Sequence, residues 1–275
     1  MDPILVLHSI IMGIVEGLTE FLPISSTGHL ILTGDLLNFL DKDRRDVFEI
    51  FIQIGAMMAV IWEYRTKFVA TLTGALQEGK ERKLFINVII AFIPAAVTGL
   101  LFHHAIQMYL FNPLAVATSF IIGGFIILWA EKRKHNITVI SADDLTYADA
   151  FKVGLFQCFA LIPGTSRSGA TIIGGLFLGL SRKAATEFSF FLAVPTLSAA
   201  SLYSLLKIRD QLNVDDLGIF GIGLITAMIS AFFAIRGLLK FIATHTFIVF
   251  AWYRIAFGII VLATSYFGIV EGFGN

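Results

Sequence analysis

Two glutamates, Glu16 and Glu20, lie four residues apart between apolar segments near the start of the chain. On a helix this spacing puts both carboxylates on one face, where they repel each other unless a cation lies between them or one is protonated. The pair therefore indicates a divalent-metal site or an acid–base pair. The alternative is a solvated helix end with two ordinary surface glutamates, which the apolar flanks disfavour.

A run of small polar residues follows Pro23 and contains Ser26 and His29, three positions apart. If a helix restarts after the proline, these two side chains share one face, and a serine beside an imidazole is the minimum arrangement for an activated nucleophile. A helix-capping serine beside an unrelated histidine is the alternative. Free N–H groups at a helix start also favour a phosphate, so we assign Thr27 and Gly28 to substrate binding.

A related motif, Pro163-Gly-Thr-Ser-Arg-Ser-Gly-Ala-Thr171, lies in the second half of the chain. It combines small residues and hydroxyl groups with Arg167, whose planar guanidinium suits phosphate oxygens. We assign Ser166, Ser168 and Thr171, together with Arg167, to substrate binding. In the alternative interpretation the segment is a packing turn, and the arginine only pairs with one of the two glutamates.

The composition places these motifs in a membrane protein. Hydrophobic residues make up 57% of the 275 residues, charged residues only 15%, and the mean hydropathy is +0.83. Soluble domains carry about 25% charged residues, so this composition argues strongly against a soluble globular protein. The 20 basic and 20 acidic residues give a net charge of zero, which argues against a nucleic-acid partner. A single cysteine excludes an internal disulfide framework. We predict one polytopic integral membrane domain over residues 1–275.

A full membrane span needs roughly 20 mostly apolar residues. Six segments qualify, near residues 47–63, 84–104, 113–130, 184–206, 217–240 and 247–270. Two further apolar stretches, 3–15 and 153–162, are instead interrupted by the polar motifs after about half a span. Backbone freed by a proline is tolerated at membrane depth only inside protein or beside a water-filled cavity. We therefore predict two re-entrant helix hairpins, with two kinked full spans as the alternative.

The two interrupted regions are related by an internal repeat. A shift of 141 residues aligns Gly13 with Gly154, Glu16 with Gln157, Ser25 with Ser166, Gly28 with Gly169 and Gly34 with Gly175. With one deletion, residues 48–51 align with 188–191. The predicted fold is an all-α polytopic membrane protein of two repeats, about 1–135 and 148–275, each with one re-entrant hairpin and three transmembrane helices. Because three is odd, the second repeat is inverted, which brings both hairpins to one site near the midplane.

The basic residues predict the orientation of the chain in the membrane. The side that holds the loop 105–112 carries five, namely Lys42, Arg44, Arg45, Lys207 and Arg209. The opposite side carries thirteen, namely Arg65, Lys67, Lys80, Arg82, Lys83, Lys132, Arg133, Lys134, Lys152, Arg182, Lys183, Arg236 and Lys240. The positive-inside rule makes the second side cytoplasmic. We call the two sides outer and inner, and we expect the site to open to the outer face.

The motifs together resemble the undecaprenyl-diphosphate phosphatase family of the bacitracin-resistance type. The resemblance is carried by Glu16-Gly-Leu-Thr-Glu-Phe-Leu-Pro-Ile-Ser-Ser-Thr-Gly-His29, by the motif 163–171, by Glu187-Phe-Ser-Phe-Phe-Leu-Ala-Val-Pro195 and by Tyr253-Arg254. It covers essentially the whole chain. It implies hydrolysis of undecaprenyl diphosphate to undecaprenyl phosphate and inorganic phosphate in the bacterial plasma membrane. This reaction recycles the lipid carrier for cell-wall synthesis and confers bacitracin resistance.

The resemblance also implies roles for individual residues. A divalent cation, Mg²⁺ or Ca²⁺, is expected on Glu16 and Glu20, and Glu20, Ser26, His29 and Arg167 are expected to be catalytic. In the mechanism we favour here, Ser26 attacks the terminal phosphorus with His29 as its base. The alternatives are His29 as nucleophile, or a directly activated water. A transporter of polyprenyl phosphate is the rival class, since inverted repeats with re-entrant hairpins also build transporters. The oligomeric state is left open, with a homodimer as one alternative.

Overall fold

The computed structural model describes residues 2–207 and 214–267, and the regular elements within these ranges are helices. Their bounds are α1 Pro3–Thr19, α2 Ser26–Leu36, α3 Lys42–Glu63, α4 Arg65–Thr73, α5 Lys80–Leu110, α6 Pro113–Lys132, α7 Tyr147–Cys158, α8 Arg167–Phe177, α9 Arg182–Lys207, α10 Leu217–Ile242 and α11 Ile248–Tyr266. Arg209 and the last three residues of the predicted span 247–270 lie outside the described residues.

Five helices, α5, α6, α9, α10 and α11, are long and apolar enough to cross a membrane. They confirm five of the six predicted spans. The sixth, predicted near 47–63, corresponds to α3, which qualifies only together with α4 after a bend of 81° between the two helices. The described chain is therefore all-helical, with five or six helices capable of spanning a membrane.

The two interrupted regions form two short helix pairs, α1 with α2 and α7 with α8. The second helices, α2 and α8, both have 11 residues, and each follows a serine with positive φ. These serines, Ser25 at φ 67° and Ser166 at φ 70°, are the pair that the repeat aligns. A non-glycine residue in such a conformation costs about 1–3 kcal/mol and persists only where its surroundings impose it. Both helix restarts are thus held in the same strained geometry.

Glycines let the first helix of each pair lie directly on a long helix from the other half of the chain. A methyl group on Gly13 of α1 would come within 2.6 Å of the carbonyl oxygen of Gly223 on α10. A methyl group on Gly154 of α7 would come within 2.5 Å of the carbonyl oxygen of Ala91 on α5. Small residues permit this close backbone packing between helices in membranes. The two halves of the chain are therefore interlocked through α1–α10 and α5–α7.

Ion pairs join helix ends that the charge pattern assigns to the same side. On the predicted outer side, Arg44 at the start of α3 pairs with Asp216 before α10. On the predicted inner side, the pairs are Lys67 with Asp143 at 2.9 Å, Arg182 with Glu131, and Arg236 with Glu63 at 2.8 Å. Each pair thus joins segments that are distant in the sequence at one predicted side of the bundle.

Candidate active site

Three of the residues selected from the sequence meet in one buried group. The Oγ of Ser26 donates a hydrogen bond to Oε2 of Glu20 at 2.6 Å. Nη2 of Arg167 donates to the other oxygen, Oε1, at 2.9 Å. Glu20 and Ser26 are 8% and 7% exposed. Glu20 ends the first helix of one pair and Arg167 begins the second helix of the other, so one carboxylate connects the two motifs.

The guanidinium of Arg167 is held from a second direction by a residue on α9. Its Nη1 donates to the backbone oxygen of Ser189 at 3.1 Å, and the group lies over the ring of Phe21. Its Nε is buried without a hydrogen-bond partner. Ser189 was missed in the sequence, although it lies in the segment 187–195 that carries the family resemblance. The sequence signal that points to it is a hydroxyl within an apolar helix, and the structure buries this hydroxyl completely.

Glu16 is 1% exposed, and both of its carboxylate oxygens lack a hydrogen-bond partner. The charged groups that interact electrostatically with the Glu16 carboxylate are Glu20, Glu49 and Arg167. A buried carboxylate without a partner is costly, so this position is suited to a cation. The described residues contain no cluster of three or more His, Cys, Asp or Glu side chains arranged for a metal. Two carboxylates still fit Mg²⁺, which usually keeps waters and takes phosphate oxygens as its other ligands.

His29 is turned away from Ser26. Its Nδ1 donates to the backbone oxygen of Ser25 at 2.7 Å, so Nε2 accepts the hydroxyl of Tyr253 at 2.6 Å. The ring stacks on Phe257, with ring centroids 4.0 Å apart. Within the described residues no hydrogen bond joins His29 to Ser26, so the expected serine–histidine pair is not formed. The serine hydroxyl points back to Glu20, while α11 supplies the partners of the imidazole.

A polar cavity of about 200 Å³ adjoins this group. From the first motif it is lined by Glu20, Ser25, Ser26 and Thr27. From the second motif it is lined by residues 160–164, 166 and 167, and further residues come from α3, α5, α7 and α9. The N-terminal ends of α2 and α8 both lie at this cavity, so their free N–H groups are available to an anion. Ser25 is a cavity residue that the sequence analysis did not select.

The other assigned residues divide between lining the cavity and holding its walls. Ser166 lines the cavity and its Oγ caps Gly169 N at 3.1 Å. Ser168 donates to the backbone oxygen of Leu22 at 2.8 Å and is fully buried, so it ties the two motifs together. Thr171 is buried against Ser189, with their hydroxyl oxygens 2.7 Å apart. A methyl group on Gly28 would clash with the ring of Phe120 at 2.6 Å, so this position has a packing role.

Residues 9–260 match the sequence profile of the family described as bacitracin resistance protein BacA. The chain belongs to this family. It is similar to undecaprenyl-diphosphatase 1 of Chromobacterium violaceum, with 69% identity over 96% of this chain and 98% of the relative. It is also similar to the undecaprenyl-diphosphatases of Cellvibrio japonicus and Dechloromonas aromatica, with 59% and 60% identity over 98% of this chain and 99% and 98% of those relatives.

In this BacA-family chain, the loops before both helix restarts are fastened by Arg254 of α11, which is 1% exposed. Its guanidinium donates to the backbone oxygens of Pro23 at 3.2 Å, Gly164 at 2.9 Å and Thr165 at 3.0 Å, and to two oxygens of α6. All the hydrogen-bond partners of this guanidinium found among the described residues are backbone carbonyls. Interrupted helices leave backbone oxygens without partners, and an arginine supplies five donors in one plane.

Proposed function

We propose that this chain hydrolyses undecaprenyl diphosphate to undecaprenyl phosphate and inorganic phosphate, and so recycles the lipid carrier for cell-wall synthesis and confers bacitracin resistance. The observation that carries the proposal is the Glu20 carboxylate, which holds the Ser26 hydroxyl and the Arg167 guanidinium beside a polar cavity within apolar helices. Its relatives at 59–69% identity are named undecaprenyl-diphosphatases.

In the first step, Ser26 Oγ attacks the terminal phosphorus and its proton passes to Oε2 of Glu20, 2.6 Å away. The new Oγ–P bond forms as the bond from phosphorus to the bridging oxygen breaks, and undecaprenyl phosphate leaves. Phosphoryl transfer depends mainly on positioning and charge stabilisation. Arg167 and the N–H groups at the starts of α2 and α8 supply both.

In the second step, water attacks the phosphorus of the phosphoserine and the Oγ–P bond breaks. Glu20 returns its proton to Ser26 Oγ, so the serine and the carboxylate are both regenerated, and the water's oxygen and protons leave with inorganic phosphate. This assignment makes Glu20 the base in place of His29. His29 then acts through its hydrogen bond to the Ser25 oxygen, which fixes the strained residue directly before the nucleophile. We propose this route over His29 as nucleophile because both imidazole nitrogens already have partners.

A divalent cation, Mg²⁺ or Ca²⁺, would be held by Glu16 together with Glu20, and when bound it would neutralise negative charge on the diphosphate. We expect purified protein in detergent to release phosphate from undecaprenyl diphosphate. EDTA should stop this release, and addition of either cation should restore it. Glu16→Gln should need a higher cation concentration for half-maximal release. The matched control is Glu63→Gln, which neutralises a glutamate paired with Arg236 at the inner side.

Undiminished phosphate release in EDTA would contradict the cation site while leaving hydrolysis established. A protein that moves polyprenyl phosphate across a vesicle membrane but releases no phosphate under any of these conditions would instead be a transporter.

For the architecture, we propose that residues 1–275 form one integral membrane domain of two inverted repeats with re-entrant hairpins. Two contacts support the proposal that the two hairpins return to opposite sides of the membrane. The end of α2 is tied to the outer side by Asp35 and Arg45, whose side chains are 2.6 Å apart. The segment after α8 is tied to the inner side by the bond from Thr138 N to Gly179 O at 2.9 Å. We place the chain in the bacterial plasma membrane with the cavity open to the outer face.

Cysteine labelling tests this orientation in intact cells. In a Cys158→Ser background, Asp43→Cys at the start of α3 and Arg133→Cys after α6 lie on opposite predicted sides. A membrane-impermeant maleimide should label position 43 in intact cells and position 133 only after permeabilisation. The reverse pattern would overturn the outward-facing cavity, and labelling of both positions without permeabilisation would overturn the separation of the two sides.

A further inference from the structure

The two halves of the chain differ where each packs its third helix. With the one-residue deletion that aligns Phe48 with Phe188, Gly55 of α3 corresponds to Pro195 of α9. Gly55 lets α3 lie against the backbone of α10, because any side chain there would overlap the carbonyl oxygen of Leu224. The corresponding position on α9 carries a pyrrolidine ring, which excludes an equally close approach to a neighbouring helix.

Both α5 and α9 line the cavity at this level, and α9 is also bonded to α7 there, since Thr196 Oγ1 donates to Gln157 Oε1 at 3.3 Å. Ala95 of α5 and Thr196 and Leu197 of α9 line the cavity, and each group directly follows a proline inside its helix, Pro94 and Pro195. A proline removes one intrahelical hydrogen bond and bends the helix. Both walls therefore carry a proline-induced break in the hydrogen bonding of their helix beside the cavity.

Two hydrogen bonds hold α9 against α3. The Oγ of Ser198 donates to the sulfur of Met57 at 3.1 Å, and the Oγ of Ser201 donates to the side-chain oxygen of Gln53 at 3.2 Å. Gln53 also lines the cavity. Hydrogen bonds thus join α9 to α3, whereas none of those found among the described residues joins α9 to α5. We call the boundary between α5 and α9 beside the cavity the α5–α9 gap.

The faces that α5 and α9 expose on the outside of the bundle are apolar. Val97 and Leu100 of α5 are 50% and 68% exposed, and Leu202 of α9 is 59% exposed. Nearer the outer end, the rings of His103 and Tyr203 meet edge to face with centroids 5.3 Å apart. The gap thus connects a polar cavity to a lipid-facing apolar surface and is bridged at one end by an aromatic contact.

We propose that the α5–α9 gap is where the polyprenyl chain of the substrate runs from the cavity into the bilayer, with the isoprene units nearest the diphosphate between the two helices. This inference rests on the proposed function. Substrate loading then requires α5 and α9 to separate. A molecule whose headgroup lies in the cavity and whose tail lies in the lipid must pass laterally between these two helices.

A second apolar groove is the competing location. It has a volume of about 260 Å³ and runs along α8 between α6 and α7, past residues such as Ile126, Phe156 and Ile173. Its lining includes Thr165 and Arg254. Because Arg254 donates to the carbonyls of the loop residues Gly164 and Thr165, that arginine and the loop close this groove off from the active-site cavity.

Photo-crosslinking distinguishes the two locations in the unaltered protein. The probe is a polyprenyl diphosphate with a methylene group in place of the bridging oxygen and a diazirine on the second isoprene unit. We expect adducts within residues 94–103 and 195–203, which undecaprenyl diphosphate should suppress by competition. Adducts in the α6–α8 groove, or adducts spread evenly over the apolar surface, would overturn the proposal. Failure of the protein to release phosphate would count against the proposed function separately, because adduct positions do not depend on turnover.

Tethering the gap tests loading. In a Cys158→Ser background, His103→Cys with Tyr203→Cys joined by a short reducible bis-thiol reagent should lose hydrolysis of undecaprenyl diphosphate and recover it on reduction. Hydrolysis of farnesyl diphosphate, whose short chain allows delivery from water, should persist. The matched control is Phe51→Cys with Phe220→Cys, a ring pair at 5.2 Å across the closed α3–α10 contact. Equal rates for the long substrate with and without the tether would overturn the proposal.

Discussion

Glu20→Gln is expected to reduce phosphate release from undecaprenyl diphosphate by about 10²–10⁴-fold, the range typical for loss of a general base. The amide keeps the size of the side chain but cannot take the Ser26 proton. It also removes the negative charge that holds Arg167 at 2.9 Å. Steady-state phosphate release in detergent measures the effect, and an unchanged far-ultraviolet circular dichroism spectrum shows that the fold is intact.

Three companion variants make this prediction specific. Ser26→Ala should be as inactive as Glu20→Gln, and the double variant should be no worse, because residues that act as one unit are not additive. His29→Ala should lose about tenfold at most, which is the scale of one net hydrogen bond of 0.5–1.5 kcal/mol. If His29→Ala is inactive from pH 5 to 9 and Ser26→Ala keeps part of its rate, the histidine is the nucleophile and the assignment of Glu20 as base is wrong.

Arg167→Lys is expected to lower kcat/KM by about 10²–10³-fold, the size of effect seen when one donor to a developing negative charge is removed. The charge is kept, but an ammonium cannot reproduce the planar fork that spans Glu20 and Ser189. Part of the loss should appear as a higher KM, because the arginine also binds the ground-state diphosphate. Phosphate release measured over a range of substrate concentrations separates the two effects.

The control for this substitution is Arg182→Lys, in which the replaced guanidinium pairs with Glu131 at the inner side. It should keep near-normal activity, because the pair lies outside the cavity. Comparable activity in Arg167→Lys and Arg182→Lys would show that the planar guanidinium of Arg167 is dispensable, and would remove it from the mechanism.

The spans and the interruptions are local properties, and the sequence alone determined them. A long apolar stretch must satisfy its backbone internally, so α5 and α10 were predictable from composition. Pro23 and Pro163 followed by small polar residues placed the restarts at α2 and α8, which begin 141 residues apart as the repeat requires. The unfavourable cost of charge in the bilayer likewise selected Glu20 and Arg167 before any contact was known.

Only the tertiary structure decided which of these groups meet. Helical spacing places Ser26 and His29 on one face, but it does not say what each side chain bonds. The hydroxyl of Tyr253, 224 residues further along the chain, donates a hydrogen bond to the His29 imidazole. The Glu20 carboxylate accepts the hydrogen bond of the Ser26 hydroxyl. The gap beside α9 depends in the same way on Pro195 standing where the other half has a glycine. Contacts between distant segments are set by the packing of whole helices. A local sequence pattern indicates which residues share a helix face, but it does not indicate which residues of other helices contact that face.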